Sequence, residues 1–122
     1  MPVNIKRAYE EASKDDGVRV LVDRIWPRGI AKQDLKIDHW MKQVAPSIQL
    51  RKWFSHDPDK FQEFKEKYKE ELRNDEGKKE QLKELKRIVK KNEKNVTLIY
   101  AAKDKENNQA SVLKEILDRQ NV

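Results

Sequence analysis

The sequence predicts an α/β domain: a small, mostly parallel sheet flanked by helices. Three observations lead there. Val18-Arg19-Val20-Leu21-Val22 and Val96-Thr97-Leu98-Ile99-Tyr100-Ala101 are short, β-branched and nearly all apolar, as strands covered on both faces are. Between and after them lie segments with apolar residues at helical spacing. Alternation of the two element types implies parallel pairing, with helices packed on the sheet.

Taken in order, Val3 to Tyr9 alternates and predicts a first strand. Glu10 to Gly17 is polar and closes on the turn signal Asp15-Asp16-Gly17. The buried-type strand 18–22 follows and is broken by Trp26-Pro27-Arg28-Gly29, where proline lacks an amide donor and glycine accepts unusual backbone angles. Residues 30–45 fit two periods. A short helix near 31–35 and a strand near 37–44, ended by Pro46, is the expectation.

Ser47 is a helix N-cap, starting a short helix that carries Leu50, Trp53 and Phe54. Asp57-Pro58-Asp59 is a second start signal. The helix it opens puts Phe61, Phe64, Tyr68 and Leu72 on one face, and Gly77 is expected to interrupt it. A further helix carries Leu82, Leu85, Ile88 and Val89. After the strand at 96–101, a last helix from about Asn108 to Gln120 buries Ala110, Leu113, Ile116 and Leu117.

Length sets the domain count. One hundred and twenty-two residues make one domain, 1–122, with a modest core. Charged residues are 41% and hydrophobic ones 36%, a mix found in disordered chains. The clustering and periodicity of the apolar residues exclude disorder here. No cysteine is present, which excludes thiol chemistry and points to a reducing cytoplasm. The N-terminal segment has no long apolar run, so neither a signal peptide nor a membrane span is expected.

Net charge is +6, which favours anionic partners: small metabolites, nucleic acid or an acidic protein. Much of the lysine between 60 and 95 is interspersed with glutamate, as on a solvated helix face.

Chemistry-bearing residues concentrate in three segments: Val22 to Gly29, Pro46 to Pro58, and Tyr100 to Asp104. Two of these follow predicted strands, where α/β proteins keep their sites. Arg24 and Arg28 offer forked donors matched to phosphate or carboxylate, and Lys103 would converge with them if the strands at 18–22 and 96–101 are neighbours. Arg51 sits in the first turns of the helix capped by Ser47, whose free amides also favour an anion. Trp26 and Tyr100 are candidate pocket walls, while Trp53 reads as core.

His56 and Asp23 are the acid–base candidates. An arginine partner would hold Asp23 ionised and inert, and that structural pairing is the favoured expectation. His56 is likewise read first as a helix-junction residue. The two histidines have no matching acid spacing, so no metal is expected; no cofactor is implied either, and there is no glycine-rich phosphate loop.

In order and spacing these segments, with Ala45-Pro46-Ser47 and Asn107, resemble the YeaO-like bacterial proteins of the domain of unknown function 488. The resemblance spans nearly the whole chain and implies a small α/β protein without an established activity. The family pattern often carries a His-Asn-His-Ala run near the last helix. Here that stretch is Asn107-Asn108-Gln109-Ala110, so a metal or acid–base role for those histidines does not carry over.

The functional expectation is a phosphorylated or other anionic small molecule bound at the carboxyl edge of the sheet, with catalysis left open. The alternatives are a nucleic-acid-binding module, less favoured because no recognisable nucleic-acid motif is present, and a protein-interaction domain using the charged helices.

Overall fold

The computed structural model describes residues 3–119 and shows one α/β domain. Its sheet has four strands, β1 (Asn4–Arg7), β2 (Val18–Leu21), β3 (His39–Trp40) and β4 (Val96–Tyr100), in the order β1-β4-β2-β3. All pairs are parallel. The last strand therefore inserts between the first two, with Leu21 opposite Ile99 on one side and Arg7 opposite Tyr100 on the other. The two strands read from sequence as buried are the two central ones, because only central strands are covered on both faces and both edges.

Period-two alternation sends side chains to two cores. Val20, Val22, Leu98 and Tyr100 face the larger core, built with α2 (Ile48–Phe54), α3 (Phe61–Asn74), α4 (Glu76–Lys91) and α5 (Gln109–Asp118). Leu21 and Ile99 face the other side, where Leu35 of α1 (Lys32–Leu35) and Ala8 close a smaller cluster with Trp26 and Trp40 against it.

The helix starts follow the cap chemistry. Ser47 Oγ accepts from the Leu50 amide, Asp57 from Asp59, and Asn108 from Ser111. The segment after Asp57 begins as a 3-10 turn, Pro58–Lys60, before α3. Phe64, Tyr68 and Leu72 of α3 are buried, with Phe61 packed against them. In α5, Val112 is buried beside Ala110, Leu113 and Leu117, and Ile116 packs against that core. Gln120 lies outside the described residues.

Two local expectations are corrected. The strand near 37–44 is only His39–Trp40, and a 3-10 turn takes over at Lys42–Val44. β3 is an edge whose one partner, β2, ends at Leu21, so the pairing has nowhere to continue. Gly77 does not interrupt the helices; it lies inside α4. The break falls at Asp75, whose side chain caps α4 by accepting from the Lys78 amide. A Cβ at 77 would come 2.8 Å from Gln43 Oε1, the end of an exposed side chain that can swing aside.

At the amino ends of the central strands the structure carries a buried ionic cluster. Asp16 accepts from Arg19 at 2.5 Å and from Lys6 at 3.1 Å, and Arg19 also donates to the Leu35 carbonyl. Burial raises the Asp16 pKa, but the Ser13 amide, Lys6 and Arg19 outweigh it and hold the carboxyl below its ordinary value.

Candidate functional site

β2 and β4 run side by side and end together, so the segments that follow them meet at the carboxyl edge. Asp23 is the first point of contact. Its Oδ2 accepts from the Ala101 amide at 2.9 Å and its Oδ1 from the Gln109 side-chain amide. Its own carbonyl accepts from the Trp40 indole at 2.7 Å. Burial pushes the carboxyl up to about 6, while the Ala101 amide, the Arg51 charge and Gln109 pull it down only in part.

The expected ion pair between Asp23 and an arginine is absent: among the described residues neither Arg24, Arg28 nor Arg51 lies in a salt bridge. The strand-end geometry gives both Asp23 oxygens to amides instead.

Above Asp23 lies a cleft with two adjoining lobes. The polar lobe, about 320 Å³, is lined by Asp23, Arg24, Trp26, Arg28, Arg51 and His56. The second, about 510 Å³, shares Arg24, Arg51 and His56, and is walled by Ile25, Pro46, Ile48, Phe54 and Phe64. Both volumes fall in the range of small-molecule sites. Arg24 Nε is buried and has no hydrogen-bond partner. Lys78 of α4 is buried as well; burial and the Arg24 charge lower its pKa, against the pull of Glu71 and Asp75. The nearest opposing charge is the Asp23 carboxylate, which feels the Arg51 charge without forming a salt bridge with it.

Local backbone shape brings His56 to the cleft. Ser55 and His56 follow α2 with φ of +48° and +56°, a left-handed pair that non-glycine residues rarely adopt. Ser55 closes the helix with its amide on the Arg51 carbonyl. Gly29 takes φ +82° in the loop that carries Arg28. Trp26 is held by its indole on the Ile30 carbonyl at 2.7 Å and meets Trp40 edge-on at 5.3 Å.

Of the nine residues predicted from sequence, six line this cleft: Asp23, Arg24, Trp26, Arg28, Arg51 and His56. Three do not. Ser47 faces a shallower hollow beside Trp53 and Glu71. The Glu71 carboxylate takes the Ser47 amide at 2.9 Å and its hydroxyl at 2.5 Å, so the positive start of α2 is already filled from within the protein. Tyr100 is buried in the larger core, where burial raises its phenol pKa, because the alternation of β4 turns it beneath the helices. Lys103 is exposed and lines neither lobe. Trp53 is half-buried against the core, with Lys60 and Lys67 over its ring.

Sequence reasoning missed the apolar wall, whose Ile25, Ile48, Phe54 and Phe64 look like ordinary loop or core positions. Gln109, which stands in the stretch that departs from the family pattern, comes against Asp23. Among the described residues no cluster of His, Asp and Glu could hold a metal ion, and no helix is long and apolar enough to cross a membrane.

Comparison with known proteins fits this geometry into a family. A model described as the inactive DUF488-N3 subclade matches residues 2–121. The chain belongs to that family. It is 43% identical over 117 residues to the uncharacterized protein YeaO of Escherichia coli K12, covering 96% of this chain and 97% of YeaO. It is 41% identical over 116 residues to the uncharacterized protein Rv3073c of Mycobacterium tuberculosis H37Rv, covering 95% of this chain and 93% of that one. No solved structure matches. The DUF488 resemblance read from the motif segments is therefore shown over the whole described domain.

Proposed function

We propose that this DUF488-N3 protein binds an anionic small molecule at the carboxyl edge of its sheet, and that it does so without catalysing a reaction on it. The observation that carries the reading is a convergence of unpaired cations: Arg24, Arg28 and Arg51 line one cleft, and among the described residues none of the three lies in a salt bridge. An oxyanion in the cleft would supply the counter-charge these guanidinium groups lack, through charged hydrogen bonds worth about 1.5–3 kcal/mol each. Forked guanidinium donors match phosphate and carboxylate oxygens.

Asp23 has a pKa in the range of a general base. Yet both its oxygens are engaged by Ala101 and Gln109, and a glutamine amide cannot relay a proton as a histidine would. The subclade's description as inactive agrees with a binding role. The three lysines of α3 are paired, Lys67 with Glu63 and Lys65 and Lys69 with Glu115, which favours a pocket ligand over a nucleic-acid track along that helix. In our reading this binding protein works in the cytoplasm, which the lack of cysteine supports.

Calorimetry with inorganic phosphate, pyrophosphate and citrate tests the reading, beside DNA and RNA shift assays at two salt concentrations. Arg51→Ala, at an exposed position, should weaken anion binding at least tenfold, and Arg28→Lys should weaken it although the charge is kept. Steeply salt-dependent nucleic-acid binding with no small-anion heat would overturn it.

A further inference from the structure

The two lobes ask for different chemistry in one ligand. The polar lobe presents guanidinium groups; the larger lobe presents Ile25, Pro46, Ile48, Phe54 and Phe64. Ile25 and Ile48 are 67% and 54% exposed, two of the three large apolar side chains left in water among the described residues. They come from different elements, the loop after β2 and the first residue of α2, and meet across the same lobe. Neither contributes to the buried cores.

A bare oxyanion would satisfy the arginines and leave this apolar wall wet. A neutral apolar molecule would cover the wall and leave Arg24, Arg28 and Arg51 without a counter-charge. We propose that the ligand is an amphipathic anion, a phosphate or carboxylate head on an acyl or aryl body, the head at Arg24, Arg28 and Arg51 and the body between Ile25 and Ile48 over Phe54. The inference rests on the anion-binding reading above and narrows it to a ligand class. Arg24, Arg51 and His56 line both lobes, so one molecule can span them without a break.

The test is a calorimetric series on the full chain: inorganic phosphate, then ethyl, butyl and hexyl phosphate, with hexanol as the neutral control. Each methylene that enters the lobe should tighten binding by up to about fourfold. Ile25→Ser and Ile48→Ser change exposed positions and should flatten that series, with unaltered circular dichroism showing the fold intact. Hexanol should give no comparable heat. A flat series with measurable phosphate binding would overturn the apolar-body inference while leaving the anion reading standing. Hexanol binding as tightly as hexyl phosphate would also overturn it. No heat from any anion would remove both. Sedimentation showing a dimer that is lost in Ile25→Ser would assign the exposed pair to a second copy of the chain and overturn the inference as well.

Discussion

Asp23→Asn removes a carboxylate that the fold carries at a cost. Its pKa is pushed to about 6 from an ordinary 3.8, chiefly by burial. The gap of about two units corresponds to about 3 kcal/mol. The sign follows from proton counts. Below pH 3.8 Asp23 is protonated in both folded and unfolded chains and contributes nothing. Between 3.8 and about 6 the unfolded chain gives up its proton first, so stability falls as pH rises. Above about 6 the loss is complete and constant.

Asparagine keeps an oxygen for the Ala101 amide, and the Gln109 amide can turn to offer its own oxygen to the new NH₂ group. The variant should therefore match wild type near pH 3.5 and exceed it by up to about 3 kcal/mol at pH 7. Urea unfolding at half-unit pH steps reads this directly. A difference that does not change between pH 4 and pH 7, or a variant less stable at neutral pH, would refute the reasoning.

Two further substitutions test the scaffold. Asp16→Asn leaves Arg19, with its side chain 5% exposed, without a counter-charge, and should destabilise by about 3 kcal/mol in urea unfolding at pH 7. Because Asp16 sits below its ordinary pKa, the difference should shrink as pH falls through the acid range, and a constant difference would count against the ion cluster. His56→Gly relieves a left-handed backbone at φ +56° and should raise stability by about 1 kcal/mol while weakening anion binding. A variant less stable than wild type would show that the His56 side chain holds the α2 end together.

Local signals explain how much of the site was legible. Arg24, Trp26 and Arg28 follow β2 within a few residues, and Arg51 and His56 belong to one helix and its exit. Segments that leave neighbouring parallel strands emerge at the same edge, so six of nine candidates share a cleft. The misses are long-range. Asp23 and Gln109 are 86 positions apart and meet only because β4 lies against β2 and α5 starts at its end. Glu71, 24 positions from Ser47, fills a helix start that looks open from the chain alone.

By itself the sequence determined the helices, the caps at Ser47 and Asp57, and the two central strands. These depend on side-chain periodicity and on backbone bonds within a few residues. Tertiary structure decided which groups the charges answer to. It gave Asp16 to Arg19 and Lys6, and Glu71 to Ser47, and it left Arg24 without an acceptor. It also turned Tyr100 into the core and gathered Ile25, Ile48 and Phe54 into one wall. The reason is that a charge or an apolar face acts on whatever lies within a few ångströms of it, and strand order sets those neighbours.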